Sequence, residues 1–195
     1  MKRVCIAAAI AGSATCTTAQ NFSLSLVPGS VTIFPGSSFT LTVFGDADQG
    51  THLLGGAFSL ESNGECIDTM TWTPASWSAF NTDGGFAGDG NYNEVVFGQL
   101  VIPGIFPPAP GSENGSAIGT FTVNLDPGIG DFILDFQLVA AQPFTLETVD
   151  ANSGQTFQSS NGNLSLGSAS IGLIPSPGVM PGLGLCGLLS TRRRR

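Results

Sequence analysis

The stretch Ser38-Phe-Thr-Leu-Thr-Val-Phe-Gly45 alternates apolar and polar side chains with a period of two residues. In an extended chain this spacing puts Phe39, Leu41 and Val43 on one face and Thr40 and Thr42 on the other. The pattern predicts an antiparallel strand with one face in a core and one in water. The same alternation recurs in Phe121-Thr-Val-Asn-Leu125 and in Phe132-Ile-Leu-Asp-Phe-Gln-Leu138, whereas helical periodicity does not recur.

Turn signals separate these runs, among them Pro28-Gly29, Pro35-Gly36, Asn63-Gly64, Pro110-Gly111, Asp126-Pro127-Gly128 and Asn161-Gly162. Strands are predicted at Phe22–Val27, Val31–Phe34, Ser38–Gly45, Gly56–Glu61, Ile67–Thr73, Glu94–Ile102, Ala117–Leu125, Asp131–Ala140, Thr145–Val149 and Asn163–Leu166. Many short strands with regular turns predict an all-β fold, a single antiparallel β-sandwich of about nine or ten strands. Two long stretches, 74–93 and 103–116, interrupt the pattern, and loops of that length are either functional or mobile.

All six basic residues lie at the ends of the chain: Lys2, Arg3 and Arg192 to Arg195. The 14 acidic side chains lie between them, with a single histidine. Nucleic-acid binding depends on cationic side chains that displace counterions, so this body excludes it. Phosphoryl transfer is disfavoured for the same reason, because no lysine or arginine is present to neutralise a phosphate and no Walker loop is present.

The N-terminus has the features of a secretory signal. Lys2 and Arg3 form a short basic region, an apolar stretch follows, and Thr17-Thr18-Ala19 supplies small residues before Gln20. We predict a signal helix over residues 1–19, cleaved between Ala19 and Gln20. The export machinery is then the first expected partner.

The C-terminus has three parts in order: the break Pro175-Ser176-Pro177-Gly178, an apolar stretch from Val179 to Leu189, and Arg192, Arg193, Arg194 and Arg195. A bilayer core of ~30 Å takes ~20 helical residues, so the apolar stretch is short for a permanent span. The arginines resist translocation. These features predict transient membrane association, with a plain anchor or a disordered basic tail as the alternatives.

This layout resembles the PEP-CTERM sorting signal, a Pro-x-Pro motif followed by a short apolar helix and an arginine cluster. Serine replaces the usual middle glutamate here. The resemblance implies that an exosortase-type membrane protease removes the tail and leaves the protein at the cell surface. The predicted organisation is a signal peptide over residues 1–19, a β-sandwich domain over 20–170 and a sorting segment over 171–195.

The order of elements in the body also resembles the cohesin-type, jelly-roll-like sandwich of bacterial surface proteins. The likeness rests on Val31-Thr-Ile-Phe-Pro-Gly-Ser-Ser-Phe-Thr-Leu-Thr-Val43, Gly55-Gly-Ala-Phe-Ser-Leu60, Glu94-Val-Val-Phe-Gly-Gln-Leu100 and Gly119-Thr-Phe-Thr-Val123. It implies a fold, and it suggests adhesion or scaffold binding.

Catalytic chemistry has few candidate residues. A serine or cysteine nucleophile needs a histidine base, and His52 lies in the polar turn Asp48-Gln-Gly-Thr-His52. A glycosidase needs only two carboxylates, which the composition permits, but sugar clefts usually add tryptophan stacking and only Trp72 and Trp77 are present. The sequence therefore predicts a protein that is not an enzyme, with a secreted glycoside hydrolase as the weaker alternative.

The best candidate site is the loop Asn81-Thr-Asp-Gly-Gly-Phe-Ala-Gly-Asp-Gly-Asn-Tyr-Asn-Glu94. Its glycines let the backbone curl, and Asp83, Asp89, Asn91 and Asn93 would supply some of the six to eight oxygens that Ca²⁺ takes. The spacing matches no established calcium motif, and a solvated loop is the competing interpretation. Zinc is excluded, because the mature body has one histidine and one cysteine, Cys66.

Together these patterns predict a non-catalytic exported protein of the cell surface or extracellular matrix, structural or adhesive in role. A carbohydrate- or protein-binding module is the alternative, with a surface polysaccharide or a protein as partner. No cofactor is expected apart from the candidate calcium ion.

Overall fold

A computed structural model describes residues 20–127 and 133–174. Apart from one 3-10 turn, Ser159–Asn161, its regular elements are strands. The strands are β1 Asn21–Pro28, β2 Thr32–Ile33, β3 Ser38–Ala47, β4 His52–Ser62, β5 Ile67–Pro74, β6 Thr82–Asp83, β7 Tyr92–Gly98, β8 Ala117–Leu125, β9 Ile133–Ala140, β10 Glu147–Val149, β11 Thr156–Gln158, β12 Asn163–Leu166 and β13 Ser168–Leu173.

Five strands form the first sheet in the order β12-β1-β3-β8-β5. The pairings of β1 with β3, β3 with β8 and β8 with β5 are antiparallel. The outer strand β12 instead runs parallel to β1, with Asn21 opposite Asn163.

The second sheet has eight strands and is organised around β4. Phe58 of β4 pairs with Val95 on β7 and with Ala140 on β9, so these two strands occupy opposite edges of β4. Gly55 pairs with Gly98 and with Glu147, which puts β10 on the same edge as β9. The sheet continues from β9 through β13 to β2, from β10 to β11, and from β7 to β6.

The two-residue alternation determines which side chains enter the core. On β3, Phe39, Leu41 and Val43 are buried while Thr40 is exposed, as the sequence predicts. On β8, every second residue from Gly119 to Leu125 is buried in the same way. Phe58 lies at the centre of the core, with edge-to-face contacts to Trp72 at 5.6 Å and to Phe121 at 6.3 Å between ring centroids.

Within the described residues, Gly167 lies at the last point at which the chain passes from one sheet to the other. Its N–H donates to the carbonyl of Leu24 in the first sheet at 2.7 Å, and its own carbonyl accepts from Leu138 N–H in the second sheet at 3.1 Å. The strand on each side of it therefore belongs to a different layer. Because Ile171 and Leu173 on β13 are buried, the sandwich extends past the predicted boundary at residue 170 to Leu173.

The all-β sandwich prediction is confirmed, and the ten predicted strands correspond to observed ones. The predicted bounds of β8 and β12 match the observed bounds, and the other eight have shifted ends. The strands β6, β11 and β13 were not predicted, nor were the two parallel pairings, β12 with β1 and β13 with β2. The predicted signal helix, the cleavage site at Ala19 and Gln20, and the sorting residues Pro175 to Gly178 and Arg192 to Arg195 lie outside the described residues.

Gly119 makes room for the Trp72 ring, and this contact gives a test of the core. A Cβ at position 119 would lie 2.7 Å from the Thr73 carbonyl oxygen and closer still to the Trp72 ring. Gly119→Ala is expected to lower the free energy of unfolding by about 1–3 kcal/mol, the usual cost of overpacking. Urea denaturation measures it. Gly172→Ala is the matched control, because the nearest atom to its added Cβ is the Val31 carbonyl oxygen at 3.7 Å; equal losses in the two variants would contradict the packing described here.

Candidate binding surface

The segment from Gln99 to Ala109 is a loop whose two ends are fixed to β4 by one side chain. Gln99 Nε2 donates to the Leu53 carbonyl at 2.6 Å, and Gln99 Oε1 accepts from Ala109 N–H at 2.8 Å. The Gln99 backbone N–H also donates to the Leu54 carbonyl at 2.9 Å. The loop is therefore held in place at both ends although it has no strand of its own.

The tip of this loop is a tight turn from Ile102 to Phe106. The backbone N–H of each of these two residues donates to the carbonyl of the other, both at 2.8 Å, and Gly104 adopts a φ of 77° that the turn requires. The turn leaves Ile105 68% exposed and Phe106 51% exposed, and Leu100 nearby is 52% exposed. We refer to residues 99–109 as the apolar loop.

Beside the apolar loop lies a groove of about 510 Å³ on the eight-stranded sheet. Small residues, Gly55, Gly56 and Ala57, form part of its lining on β4, and the apolar loop contributes Leu100 and Val101. The groove is also lined by Gln142, Pro143, Phe144, Glu94 and Glu147. We call it the apolar groove; its lining is largely apolar, and its only charges are two carboxylates.

The segment that contributes Pro143 and Phe144 is closed by a hydrogen bond from Ala141 N–H to Thr145 Oγ1 at 3.2 Å, and its C-terminal end is held by further hydrogen bonds. Ser159 Oγ accepts from the backbone N–H groups of Thr145 at 3.1 Å and Leu146 at 3.0 Å. Ser159 is 5% exposed, so these bonds are shielded from water. Both the apolar loop and the segment 142–144 are therefore preorganised, which lowers the entropic cost of binding a partner.

A second groove, of about 580 Å³, crosses the outer side of β4, β9 and β13. Its lining side chains are mostly polar: Glu61, Ser62, Asn63, Asn91, Asp135, Gln137, Ser168 and Ser170. Asp135 accepts a hydrogen bond of 2.5 Å from Ser170 Oγ, and its N–H donates to Asn63 Oδ1 at 2.8 Å. This cross-strand network joins three segments of the eight-stranded sheet.

The predicted calcium ligands form separate hydrogen bonds within and beside their loop. Asp89 Oδ1 accepts from Asn91 N–H at 3.0 Å, Asn91 Oδ1 accepts from Ser62 N–H at 2.9 Å, and Asn93 Nδ2 donates to the Gly84 carbonyl at 3.2 Å. Asp83 Oδ1 accepts from Gly85 N–H at 2.9 Å. Within residues 20–127 and 133–174, no group of three or more His, Cys, Asp and Glu side chains is placed to hold a metal ion.

Calcium binding by this loop stays a prediction, and thermal unfolding tests it. If the loop takes Ca²⁺, the melting temperature rises more in CaCl₂ than in NaCl at matched ionic strength, because a ligand that binds only the folded state stabilises it. Asp83→Asn/Asp89→Asn is the variant in which this excess is expected to vanish. An identical response of the unmodified protein to the two salts would rule out the site.

Tyr92, the only tyrosine in the chain, has a structural role that the sequence pattern does not predict. Its side chain is 2% exposed. The Tyr92 hydroxyl donates to Asp83 Oδ1 at 2.6 Å, and the hydroxyl oxygen of Tyr92 accepts from Trp72 N–H at 3.1 Å. Burial, with the neighbouring Asp83 carboxylate, raises the pKa of Tyr92 well above its ordinary value of 10.0. Tyr92 thus links the acidic loop to β5 in the opposite sheet.

The hydrogen bonds of Tyr92 predict that the stability of the folded state depends on pH. Because the folded state favours the neutral phenol, Tyr92 contributes stability below its ordinary pKa of 10.0, and this contribution is lost as the pH rises above that value. Tyrosinate absorbance of the native protein is expected only well above pH 10, or together with unfolding. Tyr92→Phe should lower the free energy of unfolding by about 1–3 kcal/mol at neutral pH, because Trp72 N–H is left without a partner. Ordinary titration near pH 10 in a folded protein would contradict this arrangement.

The other residues that the sequence offered as candidates for ligand stacking or catalysis are Trp72, Trp77, His52 and Cys66. Trp72 and Trp77 are 8% and 4% exposed, so neither presents a ring for stacking on a ligand. His52 is the first residue of β4, and its Nδ1 lies 2.9 Å from Thr51 Oγ1; Cys66 is half-buried beside the core. No helix in the described part of the chain is long and apolar enough to cross a membrane.

Several solved cohesin structures share this architecture. A cohesin module from a Clostridium perfringens family 33 glycoside hydrolase matches with a TM-score of 0.50 at 17% identity, covering 82% of this chain and 100% of the module. A cohesin from a Clostridium thermocellum cohesin–dockerin complex gives 0.51 at 12% identity, over 78% and 99% of the two chains. The seventh ScaB type I cohesin of Pseudobacteroides cellulosolvens gives 0.52 at 10% identity, over 80% and 93%.

These similarities show that residues 20–127 and 133–174 have a cohesin-like β-sandwich fold. At the level of sequence, no protein-family model matches the chain and no curated protein matches it. The cohesin-like fold that the strand order suggested is thereby confirmed as a fold.

Proposed function

We propose that this chain is an exported, non-catalytic binding module of the cell surface or extracellular matrix, and that its apolar groove receives a protein partner. The observation that carries the proposal is the apolar loop. Its hydrogen bonds keep the apolar side chains of Leu100, Ile105 and Phe106 exposed to water. This exposure costs free energy that burial against a partner would recover. Constrained and exposed apolar side chains beside a groove are typical of protein interfaces.

The charge of the molecule restricts the partner. The described residues contain no lysine or arginine, and Glu94 and Glu147 line the apolar groove. A segment that combines apolar side chains with lysine or arginine would fit both the lining and the charge, and attraction between opposite charges would speed its association. An acidic partner would be repelled.

The fold agrees with this role without establishing it. One of the similar solved structures is a cohesin in complex with a dockerin, so a sandwich of this shape can present a protein-binding face. Function belongs to sites rather than to folds, and the preorganised groove is the site that this chain offers.

Delivery to the surface is the second part of the proposal. The signal over residues 1–19 would direct export, and the PEP-CTERM-like segment would hold the chain at the membrane until an exosortase-type protease removes the tail. The end of β13 is compatible with this, because Leu173 is buried while Ile174 is 46% exposed. The chain thus reaches the surface of the sandwich just before Pro175.

Delivery is tested by fractionating cells of the host and measuring the intact mass of the chain. The expected mature form begins at Gln20, lacks Arg192 to Arg195 and is found at the surface or in the medium. Pro175→Ala/Pro177→Ala should keep its arginines and stay with the membrane fraction. A chain that retains residues 1–19 in the cytoplasm would refute export.

Binding is tested with a photo-crosslinking amino acid at Ile105 in the surface-displayed protein. A discrete adduct is expected from Ile105, weakened by Glu94→Gln/Glu147→Gln and by added salt. Ile133, the first residue of β9, is the matched control position, since it is 56% exposed and lies outside the lining of the apolar groove. The same adducts from both positions, or none from Ile105, would contradict a partner in the apolar groove.

A further inference from the structure

The outer face of the five-stranded sheet presents a regular array of uncharged polar side chains. Pairing of β3, β8 and β5 aligns these residues in three rows. The rows are Thr42, Thr120 and Thr73; Thr40, Thr122 and Thr71; and Ser38, Asn124 and Thr69. We call these nine residues the threonine grid.

The spacing of the threonine grid follows from sheet geometry. Neighbouring strands lie about 4.8 Å apart, and residues two positions apart on a strand are separated by about 6.7 Å. Thr42 Oγ1 lies 3.2 Å from Thr120 Oγ1, which shows that adjacent hydroxyls are within hydrogen-bonding distance. Within the described residues, the hydroxyls of the middle row have no hydrogen-bond partner, so they are available to a ligand.

The grid is uncharged on a strongly acidic molecule. Threonine is favoured in strands, which accounts for its presence, but strand propensity does not exclude charged residues from an exposed face. The nine positions lack a charge, although the chain carries 14 carboxylates, and the carboxylates on the same three strands, Asp46 on β3 and Asp68 on β5, lie beyond the ends of the rows. Such a face can bind a neutral ligand without removing a charged group from water.

The grid continues into a concave site with the same chemistry. A groove of about 300 Å³ at its edge is lined by Gly29, Ser30, Ser38, Phe39, Thr40 and Thr122, of which four carry hydroxyls. At the other end of β3, Phe44 is partly exposed, and Val27 lies opposite Thr42. These two side chains offer apolar surface next to the hydroxyl rows.

From this arrangement we propose that the threonine grid is a binding face for a neutral polysaccharide. Sugar hydroxyls donate and accept hydrogen bonds, as the threonine hydroxyls do, and the threonine methyl groups offer contacts to the C–H faces of sugar rings. Successive strands rotate by about 20–25°, so the face is twisted and suits a flexible chain better than a flat crystal surface. Anionic polysaccharides are repelled by the carboxylates of the body.

This face lies on the opposite sheet from the apolar groove. It does not depend on the proposed protein partner, so either site can fail without the other. A molecule with both sites would connect a matrix polysaccharide to a protein.

Affinity gel electrophoresis of the purified full chain tests the proposal. Gels contain dextran, amylose, galactomannan or xyloglucan as neutral polysaccharides, and alginate as the anionic one. At least one neutral polymer should retard the protein. Thr40→Val/Thr71→Val, which removes two hydroxyls and keeps the side-chain shape, should weaken binding about tenfold or more, since one hydrogen bond is worth roughly fivefold.

Thr82→Val/Thr156→Val is the matched control, because both residues are exposed on strands of the other sheet. Its retardation should equal that of the unmodified protein, and circular dichroism should show that both variants remain folded. Three results would overturn the proposal: no retardation by any neutral polymer, retardation by alginate alone, or equal weakening in the grid variant and the control.

Discussion

The part of this protein that the structure describes, residues 20–127 and 133–174, contains no lysine or arginine. Its carboxylates therefore have no lysine or arginine within this part of the chain to pair with. Several acidic groups accept neutral hydrogen bonds instead. Asp150, for example, accepts from the N–H of Ser153 and from its hydroxyl, and these bonds lower the pKa of Asp150. Repulsion among the carboxylates therefore opposes folding without compensation from ion pairs.

Apolar contact between the two sheets has to supply the stability. Five phenylalanines are among the largest fully buried side chains, namely Phe22, Phe58, Phe97, Phe121 and Phe136. The rings meet edge-to-face or tilted, as in the contact of Trp72 with Phe121 at 4.6 Å between centroids. Gly119 leaves room for the Trp72 ring, which comes from the neighbouring strand of the same sheet. The change of sheet at Gly167 connects β12 in the first sheet to β13 in the second.

Short-range patterns were sufficient to predict most of the sandwich, because alternation and turn residues are local properties. They failed at β13, where Ser168-Ala-Ser-Ile-Gly-Leu173 is rich in small residues and resembled the start of the C-terminal segment. Only its pairing with β9 and β2 makes it a strand, and that pairing joins residues far apart in the chain.

In the candidate binding surfaces, too, local features were predictable from the sequence and long-range contacts were not. The glycine-rich loop was recognised as unusual, but the bonds of its Asp and Asn residues, including the bond from Ser62 to Asn91, were not predictable from spacing. In the apolar loop, residues 99–102 were predicted as the end of a strand and residues 103–109 as part of an irregular stretch. The anchoring role of Gln99 was not predictable, because it depends on Leu53, 46 positions away. The threonine residues were identified as strand positions, but their alignment in rows requires the register of three strands.

An apolar core thus stabilises this sandwich against uncompensated carboxylate repulsion. The melting temperature as a function of NaCl concentration at neutral pH tests this balance most directly. Between 0.01 M and 0.15 M the Debye length falls from about 30 Å to about 8 Å, so the melting temperature should rise steeply in this range and level off beyond it. A melting temperature that is constant or falls as salt is added would contradict the claim, because it would mean that the carboxylates do not repel one another or are paired with positive charge.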